Sequence, residues 1–247
     1  MGIESLTQLE LFDGIMGLIY PAVGIFVGIL IASKYINYQR KELVLIGISL
    51  ALLTIPYLAV GITFITIVFF DFPLPDNIFF LMYLGVSAFG TISWMWAMAI
   101  LLAPTHIKKI VGIYSVICLT YEAYLLTMLF TNPSLIVVRV SAMNVDAVSP
   151  LVALFTLFEL FSALITIIWF VKQCLRSENL RVVWKGRFLL ISTIILVIAT
   201  ILIILNPSNI VLIAISRSLY ILRLCFSYLG WILPERVAKL LVKDVEK

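Results

Sequence analysis

Seven stretches of this chain are free of charge or nearly so, and each is long enough to cross a bilayer as a helix: residues 14–33, 43–70, 78–104, 110–131, 151–171, 188–205 and 209–233. A hydrocarbon core about 30 Å thick needs about 20 apolar residues per helical crossing, and every backbone polar group inside it must be satisfied within the segment. Composition agrees, at 63% hydrophobic and 12% charged, against about 45–50% apolar and about 25% charged in soluble domains. The sequence predicts an all-α integral membrane protein with one seven-helix transmembrane domain over 1–233 and an amphipathic cytoplasmic tail over 234–247. Glu4, Glu10 and Asp13 precede the first run in place of a basic flank, so that run does not read as a cleaved signal peptide.

Basic residues orient the bundle. Lys34, Arg40 and Lys41 follow the first run, Lys108 and Lys109 the third, Lys172, Arg176, Arg181, Lys185 and Arg187 the fifth, and Arg236, Lys239, Lys243 and Lys247 the seventh, fourteen of the 17 Lys and Arg. The alternate connections carry only Arg139. A positive-inside bias then puts the N-terminus outside and the C-terminus inside, in a cell membrane. The net charge of +4 is dispersed over inner connections, as orientation alone requires, and nucleic-acid binding is not expected. Cys118 and Cys225 fall in runs and Cys174 in an inner connection, so no outer disulfide is expected.

Between the fourth and fifth runs, Leu135 to Val140 is rich in β-branched residues and Asn144 to Val148 could return beside it after a turn, which predicts a short hairpin at the outer mouth or an apolar loop on the interface. Leu175 to Arg187 reads as a longer basic inner loop. After Pro234, Val237, Leu240, Leu241 and Val245 recur at helical spacing opposite Lys239, Lys243 and Lys247, the pattern of a helix lying on the inner leaflet. Runs one to three and five to seven share a basic first connection, a Pro-containing outer turn (Asn206-Pro207-Ser208 in the second set) and a third helix opening on Asn-Ile, Asn77-Ile78 and Asn209-Ile210. A 3+1+3 parallel repeat with the fourth helix as joiner is one reading of that pattern; the ready match of any two apolar segments is the other.

Ionisable groups inside a membrane are costly, so four residues stand out: Glu122, Glu159, Arg217 and Arg223. Glu122, Glu159 and Arg217 are expected at one depth, about 12–14 Å from the outer ends of their helices at 1.5 Å per residue. Polar stripes accompany them: Ser115, Cys118 and Glu122 on the fourth helix, Thr156, Glu159, Ser162 and Thr166 on the fifth, and Ser216, Tyr220, Arg223 and Ser227 on the seventh. Either the acids neutralise the arginines in a buried ion-pair network, with Glu159 meeting Arg217 and Glu122 and Tyr220 close by, or the group binds a ligand. Ser87, Thr91, Trp94 and Thr156 are candidate pocket lining. Trp169, Trp184 and Trp231 fit interfacial belts, Pro21 and Pro56 are expected to kink their helices, and Gly24 and Gly28 form a small-residue face for packing within the bundle or between protomers.

No catalytic motif or metal-ligand spacing is present in the sequence, and an enzyme is not expected. Seven helices with the N-terminus outside resemble microbial rhodopsins and G-protein-coupled receptors in plan, but no lysine falls within a run, so retinal is not an expected cofactor, and the third helix ends Leu101-Leu102-Ala103-Pro104-Thr105 without the receptors' acidic-Arg-aromatic triplet. The repeat resembles sugar-transporting and Pro-Gln-loop families, without any Pro-Gln pair. Trp184 to Leu190 and Tyr228 to Pro234 are similar to segments of uncharacterised archaeal seven-helix membrane proteins, a resemblance that covers the last two helices and implies no activity. Three functions follow as expectations: a receptor-like sensor binding a small polar or amphipathic ligand in the outer half and signalling through the inner loop to a cytoplasmic partner, a small-solute transporter on the 3+1+3 repeat, or a structural subunit.

Overall fold

The computed structural model describes residues 4, 6–143, 145–205 and 210–242. Asn144, the Asn206-Pro207-Ser208 turn, Asn209, and Lys243, Val245 and Lys247 of the tail lie outside the described residues. Helices α1 (Gln8–Ser33), α2 (Tyr35–Tyr38), α3 (Lys41–Leu52), α4 (Ile55–Phe70) and α5 (Asp76–Phe80) lead through a π-helical turn, Leu81–Gly85, into α6 (Val86–Leu102). Then come α7 (Ile107–Thr131), the strands β1 (Val137–Arg139) and β2 (Val145–Ala147), α8 (Pro150–Leu175), α9 (Leu180–Leu205), α10 (Ile210–Ile232) and α11 (Glu235–Val242). Six helical segments are long and apolar enough to cross a membrane, seven if the bent pair α3 and α4 counts as one. The chain is therefore a helical, multi-pass membrane protein.

Local chemistry explains where the first helices begin and break. Thr7 caps α1 in a reciprocal box: its hydroxyl accepts from the Glu10 N–H at 3.3 Å while the Glu10 carboxylate accepts from the Thr7 N–H at 2.9 Å. The helix therefore begins six residues before the charge-free run and takes Asp13 inside. It continues unbroken through Pro21. The second run instead breaks at Leu53 and Thr54, just ahead of Pro56, and α3 and α4 meet at a bend of 40°.

Neighbours run around the bundle as α1, α3 with α4, α6, α8, α9, α10 and back to α1. Helix α7 stands across the seam between α6 and α8. It packs on α6 and meets α8 through ring stacking, Tyr121 on Phe155 with centroids 3.6 Å apart and Tyr114 on Phe158 at 5.3 Å. The hairpin pairs Val137 with Ala147 and Arg139 with Val145, as the sequence suggested. Ile136, Val137 and Met143 bury themselves in an apolar cluster with Phe79, Leu125 and Val152, so the hairpin seals that end of the bundle. Arg139 fastens it, donating to Leu74 O at 3.0 Å and to Asp76 Oδ1, with its guanidinium 4.7 Å from the centre of the Phe79 ring.

Glycines let α1 lie directly on the second span. A Cβ at Gly17 would sit 2.7 Å from the Gly61 nitrogen, and one at Gly28 2.5 Å from the Gly47 oxygen; Gly24 faces the Thr54 side chain in the same way. These are backbone-to-backbone approaches of the kind small residues permit between membrane helices. The Gly24 and Gly28 face expected to serve packing inside the bundle or between protomers is thus covered by the chain's own α3 and its exit, and offers no surface to a partner.

At the end opposite the hairpin, the basic end, two expectations are corrected. The long basic loop does not exist: Asn179 Oδ1 accepts from the Arg181 N–H at 2.9 Å, α9 starts at Leu180, and Arg181, Lys185 and Arg187 stand on its first two turns. Lys185 consequently lies inside a helix, so the absence of lysine holds only for the middle of the bundle. Trp231 is not at an interface but buried, stacked on Phe170 at 5.3 Å and edge-on to Trp94 at 6.2 Å. Helix α11 is tied back by Glu235, which accepts from Arg181 at 3.0 Å.

Candidate functional site

The buried charges separate into two groups instead of one. Arg217 of α10 does not meet Glu159. Its guanidinium donates to Asp13 Oδ1 of α1, at 3.3 Å from Nε and 3.2 Å from Nη2, and lies 4.6 Å from the centre of the Tyr57 ring. Asp13 is 5% exposed, and α10 packs on α1, which brings the two side chains together. Tyr20, Tyr57 and Tyr220 close around the pair as a triangle with ring centroids 5.0 to 6.1 Å apart. Tyr220 is engaged there and with Thr200, 3.2 Å away, not with the acids. Asp13, Tyr20 and Tyr57 were missed by sequence reasoning, whereas Tyr220 was expected in the site but beside the acids; the Thr7-x-x-Glu10 box was the signal that extends α1 over Asp13.

Glu122 of α7 and Glu159 of α8 form the second group. They interact electrostatically with one another, and Cys118 and Tyr121 lie within reach of both charges. Thr91 of α6 donates its hydroxyl to Glu159 Oε1 at 2.8 Å, and Ser87, one turn away, sits beside the same carboxylate. Glu122 is 7% exposed, and its Oε2 has no hydrogen-bond partner among the described residues. The π-helical turn brings Gly85 against it: a Cβ there would lie 2.8 Å from Glu122 Oε1. π-turns inside helices tend to fall at functional positions. Neither acid forms an ion pair with a cation among the described residues, where the four ion pairs are Arg40 with Glu42, Arg139 with Asp76, Arg181 with Glu235 and Arg217 with Asp13.

The remaining candidates divide. Ser87, Thr91 and Trp94 do face the interior, and the Trp94 indole donates to Thr166 at 3.0 Å. Thr156 does not: it is exposed, and its hydroxyl bonds Val152 O at 3.0 Å within its own helix. Arg223 forms no ion pair among the described residues; it lies against Tyr20 and lines a cavity of about 60 Å³ with Trp94, Ser192, Ser227 and Trp231. Trp231 also lines two larger cavities, of about 330 and 290 Å³, at the basic end.

Chemically, the Asp13–Arg217 pair is self-neutralised and reads as a fastening, whereas Glu122 and Glu159 present uncompensated carboxylates in a low-dielectric interior. With no cation paired to them among the described residues, a proton or a bound cation would neutralise such a pair. The Thr91 and Ser87 hydroxyls and the carboxylate oxygens are hard oxygen donors of the type that small cations prefer.

Compared with known proteins, the chain matches no protein-family model and no curated protein.

Proposed function

We propose that the protein is a seven-span cell-membrane protein, N-terminus outside, that binds a proton or small monovalent cation at Glu122 and Glu159 and couples it to transport of a small polar solute. The observation that carries this reading is a carboxylate pair, Glu122 buried and Glu159 half-buried, with no cation paired to it and one Glu122 oxygen without a hydrogen-bond partner among the described residues. Intramembrane acids of this kind mark ion and proton pathways.

The arrangement of helices supports it further. Two arcs of three spans, α1 to α6 and α8 to α10, meet at the α6–α8 and α10–α1 contacts while α7 stands across one seam, the disposition a 3+1+3 transporter needs. The hairpin seals the outer end. Cavities adjoin Trp231 on the basic, inner side, and a separate smaller one that Trp231 also lines reaches Arg223. A carrier closed outward with a vestibule inward would have this form, which supports the reading.

A receptor-like sensor is the second reading, favoured by the apolar packing around the acids: an amine-bearing ligand would supply the missing charge. Proteoliposomes separate the two. With the purified chain reconstituted under an imposed proton or sodium gradient, gradient-dependent accumulation of one member of a panel of labelled amino acids, sugars and amines is expected, abolished by Glu122→Gln and Glu159→Gln. An amine that raises Tm through these acids and is never accumulated would favour the sensor. Thermal stability and uptake that ignore cations, pH and both substitutions would overturn both readings.

A further inference from the structure

The cavities of about 330 and 290 Å³ at the basic end share Arg40, Leu43, Val182, Lys185 and Trp231, so they form one vestibule between the start of α3, the end of α8, the start of α9 and the end of α10. Its size is in the range of small-molecule sites, about 300–1,000 Å³. Three cations line it, Arg40, Arg181 and Lys185, against two carboxylates, Glu42 and Glu235.

Both carboxylates are already engaged. Glu42 takes Arg40 at 2.5 Å, and Glu235 takes Arg181 at 3.0 Å. Lys185 has no ion-pair partner and no hydrogen bond among the described residues, and it feels the like charges of Arg40 and Arg181. Each guanidinium is matched by its own carboxylate, so the vestibule lining carries one excess positive charge, on an ammonium with no carboxylate partner among the described residues, an electrostatic arrangement that an anion stabilises. Gln173, Ser177 and Asn179 line the same vestibule and add neutral hydrogen-bonding groups. Apolar Phe170 and Trp231 form its inner wall. Basic pockets between membrane helices on one side of the bilayer suit phosphorylated head groups, and the same donors suit a free phosphate.

We infer that this vestibule is an anion site in which Lys185 binds a phosphate group, carried either by a lipid head group or by a soluble phosphorylated solute. The inference does not depend on transport, since it uses neither Glu122 nor Glu159.

The test is thermal unfolding of the full chain, first in neutral detergent with inorganic phosphate or pyrophosphate, then in nanodiscs of phosphatidylcholine with and without phosphatidylglycerol. A Tm rise of a few degrees is expected from at least one source, and Lys185→Gln should remove it while Lys185→Arg retains part of it. A rise with free phosphate in detergent identifies a soluble ligand; a rise only in phosphatidylglycerol identifies the lipid. Gln173→Glu puts a carboxylate into the same cavity and should abolish the response without deleting Lys185, which covers the case in which Lys185→Gln does not fold. Lys109→Gln, outside the vestibule, should change nothing. No rise from either source, a rise that sodium chloride of equal ionic strength reproduces, or a rise that survives both Lys185→Gln and Gln173→Glu would overturn the inference.

Discussion

Arg217 on α10 and Asp13 on α1, 204 residues apart in the chain, meet at 3.2 Å and join the last long helix to the first. The contact lies in the interior, with the side chains 15% and 5% exposed, and it closes the ring of helices.

Removing one partner of that pair strands a charge in low dielectric. Asp13→Asn or Arg217→Gln should therefore destabilise the protein by about 3–5 kcal/mol, and the double substitution should cost less than the two singles combined. A double-mutant cycle on detergent-solubilised protein, read by thermal unfolding, checks this; additive effects would mean that the two groups do not act as a pair.

Glu122→Gln should have the opposite character. It removes a carboxylate that no cation pairs with among the described residues, so stability should be unchanged or raised, while any dependence of Tm on sodium, potassium or proton concentration should be reduced. The comparison is a Tm titration of the wild type and the variant over cation concentration and pH.

Gly85→Ala should displace Glu122 without adding or removing charge, because a methyl group would sit 2.8 Å from its Oε1. Cation response should weaken with only a modest loss of stability, since the obstructed atom is the end of a flexible side chain. A response equal to that of the wild type would show that the carboxylate's position does not matter.

Gly47→Leu should be severe. Even a methyl at 47 would run into the Gly28 carbonyl, and overpacking of this kind typically costs about 1–3 kcal/mol or more. Cross-linking of cysteines placed on α1 and α3 would report whether the two helices separate.

Arg139→Ala should release the hairpin. The ion pair with Asp76 is half in solvent and contributes little by itself, but the bond to Leu74 O and the contact with Phe79 go with it. Faster hydrogen exchange over 135–149, with little change in global Tm, is the expected result. In right-side-out vesicles, cysteine substituted at Asp76 should label from the outside; labelling only from the inside would reverse the orientation.

Features encoded locally were legible in the sequence. Apolar length defined the helical segments, β-branched pairs defined the hairpin, and of the Ser216, Tyr220, Arg223 and Ser227 stripe of α10 all but the half-buried Arg223 are buried. Errors arose where one rule was applied alone. Drawing the first span at the last charge hid Asp13, although Thr7 and Glu10 carried the capping signal; treating the basic run after α8 as a loop ignored Asn179 as a cap. Thr156 precedes Glu159 by three residues, about 60° around the helix, and with Glu159 itself only half-buried at the edge of the inner face, that offset carries Thr156 onto the exposed side. The partner of Arg217 depends on how α10 closes on α1, and no local pattern specifies a contact of that separation.

The glycine seam has a mechanical consequence. Where Gly17 meets Gly61 and Gly28 meets Gly47, main chains touch with no side-chain layer between them. Side chains that change rotamer are what let packed helices slide, and at these two contacts there are none to change, so α1 is held there backbone to backbone. Compliance is left to the junctions made by longer side chains, the aromatic contact of α7 with α8 and the contact of Tyr220 and Arg217 on α10 with Tyr20 and Asp13 on α1. Relative motion of the helices would concentrate at those two places.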